Sequence, residues 1–313
     1  MTHETPSLAQ LTVVDMRSRF TTMGLGWRTD PGRHTEAEQL LRGAAKEATR
    51  QTPDLTPVSV EWTTTDGAVC MTAVVPPRAS RQWMEAIINE AGKIPASHVD
   101  LPIAAAVGDP DNLQELDPLL KSLGPGALAP RNDKWPSRMR HSTIQGFEQT
   151  LVTGQDPAEN AGGAATFLAI CLLAGGPGTL MPEALQRDGH HASIQVMRSL
   201  QDRRAALTWQ VIAQQGGGTL AALDTVLAAA SSFRVSDNPG RIALARDFAC
   251  GNLNRPWRSP IELARSLVHY EVMGWGGALV LAPEIELAQV DDATLADAVD
   301  RMVSPLREVL GRS

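Results

Sequence analysis

The sequence predicts an α+β protein of two tandem homologous domains, each an antiparallel sheet with helices packed on one face. Three observations lead there. The chain has 313 residues, more than one average domain holds. Residues 125–141, rich in Pro, Gly and Arg and without hydrophobic periodicity, read as a linker. The order of extended and helical segments before that linker returns after it, which sets the domains at 1–124 and 142–313.

In the first domain, "LTVVDMRSRFTTMGLGWRTD" reads as two extended segments. A helix follows from about Glu36 to Ala48, because Ala37, Leu40, Leu41, Ala44, Ala45 and Ala48 recur at helical spacing. Val58, Val60 and Trp62 alternate, Asp66-Gly67 supplies a turn, and Val69, Met71, Ala73 and Val75 alternate again, which is a hairpin with one buried face. "SRQWMEAIINEAG" is a helix with Trp83, Ile87, Ile88 and Ala91 inward and Gly92 as its stop. "LPIAAAVGDPDNLQELDPLLKSLG" adds a buried strand, a Gly-Asp-Pro turn and a leucine-faced helix ending at Gly124.

After the linker, "STIQGFEQTLVTG" is extended. Asp156 and Pro157 are expected to cap and begin a helix through "NAGGAATFLAICLLAGG". "AALTWQVIAQQGGG" is a strand, and "TLAALDTVLAAASSF" is a helix packing Leu220, Leu223, Val226, Leu227 and Ala230. A further helix lies near "GRIALARDFAC". "SPIELARSLVHYEVMG" opens with a capping box from Ser259 to Glu262 around Pro260, and "DDATLADAVDRMV" is the last helix.

Composition narrows the function. A formal charge of −7, with cations spread along the chain, argues against nucleic acid and membrane surfaces as partners. Cys70, Cys171 and Cys250 are isolated and odd in number, so buried free thiols in a reducing compartment are expected, neither a disulfide framework nor a zinc knuckle. With no leader-like start and no long apolar run, a cytoplasmic protein is expected. No GxSxG, Walker-type loop or GxGxxG occurs. His34 has Glu36 and Glu38 nearby but no second histidine before His98, so it reads as a solvated helix-start residue rather than a metal ligand. His190-His191 are adjacent and share no face, which makes them a loop pair.

Element order and several phrases together resemble the pitrilysin-type zinc metallopeptidases, the inverzincins that include the mitochondrial processing peptidases. The phrases are "PIAAAVGDPDNLQELDPLL", "TLVTGQDPAENAGGAATFLAICLLAGGPG" and "LARSLVHYEVMGWG…ELAQVDDATLADAVDRMV". The resemblance implies half of a metallopeptidase clamshell. In active members the first helix carries His-x-x-Glu-His, two zinc ligands and a glutamate base. Here that motif falls on Glu38, Gln39, Leu40, Leu41 and Arg42. An arginine has no lone pair for a metal and repels it. The helical segment bearing the family's distal ligand is also reduced to "EAGKIPASHVD". No catalytic residue, metal ligand or cofactor is therefore expected in this chain, and zinc is expected in a partner.

The family's second domain supplies an arginine and a tyrosine that hold substrate and oxyanion. The matching phrase "SLQDRRAALTWQV" puts Trp209 at the tyrosine and Gln201 or Asp202 at the arginine, with Arg203 or Arg204 as stand-ins; the sole tyrosine, Tyr270, lies elsewhere. The expected substrate-holding set is Gln201, Arg203, Arg204 and Trp209 with the turn glycines Gly175, Gly176 and Gly178. Packing of Trp209 in the core, with both arginines solvated, is the competing reading. The resemblance thus implies a non-catalytic subunit that pairs with a homologous zinc-bearing chain around a peptide, with leader removal from a ribosomally made natural product as the specific expectation. The alternative is a stand-alone peptide-binding or scaffold protein.

Overall fold

The computed structural model describes residues 12–14, 19–29, 31–65, 67–100, 102–123, 136–156, 162–176, 178–201 and 204–311. They form two compact units. One comprises the described parts of Met1–Ala129 with Leu200–Arg204 and Leu253–Ala282; the other comprises Pro130–Ser199, Ala205–Asn252 and Pro283–Ser313. Among the described residues no helix is long and apolar enough to cross a membrane.

The first unit holds a five-stranded sheet in the order β1-β5-β2-β4-β3, from β1 (Thr12–Val14), β2 (Thr21–Arg28), β3 (Ser59–Thr65), β4 (Ala68–Val75) and β5 (Ile103–Gly108). Its pairs are antiparallel except β1 with β5, which run parallel. The hairpin turns at Gly67, whose φ of +80 suits glycine; Asp66 lies outside the described residues. Three helices, α1 (His34–Gln51), α2 (Ser80–Ala91) and α3 (Pro110–Ser122), pack on one another and on this sheet. The carboxylate of Asp109 accepts from the N–H of Asp111 at 3.0 Å and so starts α3 at its proline. Met23, Leu25, Trp27, Met71 and Trp83 are fully buried in this core.

Every residue of β2 is buried, so both faces of this sheet are covered. The second cover is the helix Pro260–Val272 of "SPIELARSLVHYEVMG". A Cβ on Gly26 would lie 2.4 Å from Val268 and 2.5 Å from Val272, and one on Gly24 would lie 2.8 Å from the Ala264 carbonyl oxygen. Alternation along β2 therefore directs Gly24 and Gly26 to this helix and Met23, Leu25 and Trp27 to the other face. At the end of β2 the buried Arg28 donates from Nε to the Val272 carbonyl at 2.8 Å and from its terminal nitrogen to that of Glu271 at 3.3 Å, satisfying the helix C-terminus. Leu253–Ala282, which the sequence places in the domain 142–313, thus belongs to the first unit. Amphipathic periodicity shows that a helix packs but not on which sheet. Ser259 sits at that helix's N-cap without a side-chain hydrogen bond, so the expected capping box is not formed.

The second unit holds a four-stranded sheet in the order β6-β7-β9-β8, from β6 (Arg138–Ile144), β7 (Phe147–Gln155), β8 (Ala192–Gln201) and β9 (Arg204–Gln214). Strand β6 begins inside the stretch expected to be linker. The helices, numbered on from α3, are α4 (Gly163–Ala174), α5 (Leu180–Arg187), α6 (Thr219–Ser232), α7 (Pro239–Asn254), α8 (Pro260–Val272, in the first unit), α9 (Ala278–Leu281, also in the first unit), α10 (Pro283–Ala288) and α11 (Asp292–Val309). A Cβ on Gly154 of β7 would lie 2.3 Å from Pro305 of α11, and Thr150 shares a 2.8 Å hydrogen bond with Thr219 of α6, so these helices lie on one face of the sheet. Asp156 is fully buried and paired with Arg198 of β8, and α4 spans Gly163–Ala174. Residues 157–161, Pro157 among them, lie outside the described residues.

Candidate functional site

The face of α1 where the resemblance lays the metal motif is closed by its own side chains. Glu38 and Arg42, one turn apart, are 2.7 Å apart. Thr64 of β3 donates to the second Glu38 oxygen at 2.5 Å. The Arg42 guanidinium stands 5.2 Å from the ring centroid of Trp62, also on β3. The Thr64 hydrogen bond, and then Arg42, hold the Glu38 carboxyl below its usual pKa. A carboxylate with both oxygens engaged and a lowered pKa is a poor proton acceptor, and a guanidinium in the neighbouring position does not ligate zinc. The donor set does not fit that metal. Among the described residues no group of three His, Cys, Asp or Glu stands close enough to hold a metal ion. His34 opens α1 half-buried, and His98 Nε2 lies 3.3 Å from Glu36 on that helix.

Of the expected substrate-holding residues, the described ones, Trp209 and the turn glycines, do not share one surface. Gln201 ends β8 and Arg204 begins β9; their side chains, with all of Asp202 and Arg203, lie outside the described residues. Trp209 is fully buried, and its indole N–H donates to the Met302 carbonyl of α11 at 2.9 Å. It packs between sheet and helix and has no surface left for a peptide, so the substrate role written for its side chain is replaced by a core role. The cause is strand phase. Trp209 pairs with Val152, which also faces the helices, whereas Thr208 and Gln210 on either side face the other way.

That other face carries amides and hydroxyls on β7, β8 and β9, with Arg138 and Arg140 of β6 beside them at its edge. Thr208 pairs with Thr153 through hydroxyls 3.0 Å apart, and Gln195 of β8 donates to Gln210 at 2.5 Å. Gln149, Leu151 and Gln155 share the phase of Thr153 on β7 and are half-buried. Amides and hydroxyls both donate and accept, which suits an extended peptide of varied sequence. Sequence reasoning stopped at the tryptophan, although the alternation Thr208-Trp209-Gln210 carries the signal that its neighbours take the opposite face, where Thr208 is buried and Gln210 half-buried.

The turn glycines meet a different feature. Gly175, Gly176 and Gly178 border an apolar hollow of ≈ 150 Å³ with Leu172, Leu244 and Phe248. Gly176 and Gly178 also border a second hollow of ≈ 460 Å³, with Glu183, His190, His191 and Ser193 among the residues of its wall. At Gly178, with φ +81, a side chain would be strained. Cys171 lies in the apolar wall with its thiol pushed by burial to about 12, which keeps it protonated and unreactive. His190 is 2.9 Å from the Thr225 hydroxyl, and Arg241 is paired with Glu183 at 2.7 Å.

Against known proteins, the arrangement is similar to a peptidase M16 inactive domain from Pseudomonas fluorescens, with a TM-score of 0.58 at 10% identity over 96% of this chain and 95% of that one. The fold is the M16 peptidase fold. A protease from Helicobacter pylori shares it with a TM-score of 0.57 at 10% identity over 96% of both chains. The periplasmic protease PqqL from Escherichia coli shares it with a TM-score of 0.55 at 10% identity, over 92% of this chain and 42% of that chain. No family model and no curated protein matches the sequence.

Proposed function

We propose that this chain is a non-catalytic subunit of a two-chain zinc peptidase, holding an extended peptide that a homologous zinc-bearing subunit cuts. One observation carries the reading: an M16-type fold keeps a closed ion pair, Glu38–Arg42 bridged to Thr64 and Trp62, on the helix face where the resemblance puts the metal. Zinc belongs to the partner in this proposal, and this chain contributes a surface of amides and hydroxyls. We place the peptide on the strip formed by Thr153, Gln195 and Gln210 and on the turn of Gly175, Gly176 and Gly178, and keep Gln201, Arg203 and Arg204 as substrate-holding residues only on the resemblance. Removal of a leader from a ribosomally made peptide in the cytoplasm is the specific role proposed.

Reconstitution tests it. The chain should purify with far less than one zinc by elemental analysis, should co-purify with a chain bearing His-x-x-Glu-His, and should raise that partner's cleavage of its peptide. Near-stoichiometric zinc in this chain, lost on changing a histidine, overturns the first part. A partner that cuts equally well alone overturns the second.

A further inference from the structure

The hairpin β6–β7 leaves β6 at the end of the strand order, as one edge of the second sheet. Its two-residue turn has φ of 50 at Gln145 and 81 at Gly146, a left-handed turn that closes Ile144 directly onto Phe147. From that closing pair the antiparallel pattern alternates. Ile144, Ser142, Arg140 and Arg138 exchange backbone hydrogen bonds with β7, and Met139, His141 and Thr143 turn their N–H and C=O groups out from the sheet. The strand is pinned where it must be, since His141 Nδ1 lies 3.0 Å from the buried Thr150 hydroxyl.

Three further properties of this edge point to one kind of occupant. Large apolar side chains stand in water: Met139 is 44% exposed, Ile144 56% and Phe147 49%. Arg138 and Arg140 are exposed and make no ion pair among the described residues. Strand β6 itself contains no acidic residue. An open apolar edge invites pairing, and unpaired cations on it select the partner's charge. A second copy is disfavoured: antiparallel self-pairing about His141 sets Arg138 against Ile144 and Arg140 against Ser142 and gathers four arginines with no carboxylate between them.

We propose that the β6 edge takes an extended acidic peptide segment as an added antiparallel strand. Main-chain hydrogen bonds would go to Met139, His141 and Thr143. Arg138, Arg140, Ser142 and Ile144 share a face, so the matching segment has an apolar residue opposite Ile144 and carboxylates four and six residues later, opposite Arg140 and Arg138. The inference stands apart from the zinc partnership, because it concerns this chain alone.

The test is fluorescence anisotropy of the purified full chain with a labelled ten-residue Thr/Val peptide carrying Glu at those two positions, against the same peptide carrying Lys there. The Glu peptide should bind and the Lys peptide should bind at least about tenfold more weakly, with the difference shrinking as salt rises. Arg138→Glu with Arg140→Glu should reverse the preference. Thr143→Pro removes an outward N–H without touching the β7 ladder, so it should weaken binding about tenfold with the melting temperature kept. Equal binding of the two peptides, no binding of either, or unchanged affinity in the folded charge-reversed variant overturns the proposal. A dimer of the chain that Thr143→Pro dissociates assigns the edge to a second copy and overturns it as well.

Discussion

Replacing Trp209 by alanine separates a core role from a substrate role. The side chain is fully buried and its N–H reaches the Met302 carbonyl at 2.9 Å. A buried tryptophan removes about 150–250 Å² from water, which at about 25 cal/mol per Å² is roughly 4–6 kcal/mol before the denatured chain's own burial is discounted. Measured truncations of this kind cost about 3–5 kcal/mol, so about 4 kcal/mol is expected. At about 2–4 °C per kcal/mol for a unit of this size, the melting temperature should fall by about 8–16 °C. Trp209→Phe keeps most of the area and loses the indole hydrogen bond to a carbonyl already inside α11, costing about 0.5–1.5 kcal/mol. Thr208→Ala and Gln210→Ala, one residue to either side but facing away from the helices, should each stay within about 1 kcal/mol. Urea melts followed by circular dichroism give all four values. A Trp209→Ala protein as stable as the wild type but weaker for peptide would refute the burial argument and return the tryptophan to the substrate.

Three other perturbations have equally definite outcomes. Gly26→Ala drives a methyl group to 2.4 Å from Val268 and 2.5 Å from Val272, so it should cost about 1–3 kcal/mol, and adding Val268→Ala should recover part of that; strictly additive losses in urea melts would mean that the two do not touch. Burial raises the Glu271 carboxyl above its usual pKa, against the Gly277 N–H bond and Arg28, which lower it. The folded state therefore binds this proton more tightly than the unfolded state: the contribution is fully present below the unfolded pKa and is lost as pH rises through the folded one. Glu271→Gln should flatten that part of the stability profile, and a profile identical to the wild type would exclude the effect. Burial pushes the Cys70 and Cys171 thiols up to about 12, so at pH 8 iodoacetamide should label only the partly exposed Cys250 in the native protein and all three cysteines in urea; rapid native labelling of Cys171, read by mass spectrometry, would show that the hollow opens.

Local chemistry was legible from the residues alone. Alternation in Val58–Val75 and the small-apolar periodicity of Ala37–Ala48 specify a hairpin and a helix wherever they are placed, since both follow from repeat lengths of two and 3.6 residues. So does the Glu38–Arg42 pair, because residues four apart on a helix always adjoin. The α+β class and the substitution at the metal-motif positions rest on such local facts.

Tertiary structure decided what depends on partners distant in sequence. Helix α8 covers β2, more than 230 residues before it, through Gly24, Gly26 and Arg28, and nothing in its own periodicity names that sheet. Asp156 meets Arg198 of another strand in the interior, where an unpaired carboxylate would be costly, and no local pattern names that partner. Trp209 reads equally well as a wall of a chamber or as core, because a strand's alternation defines two faces without saying which one the helices take. Pro305 against Gly154 and the Met302 carbonyl against the indole assign the helical face, and so leave Thr208 and Gln210 on the opposite one.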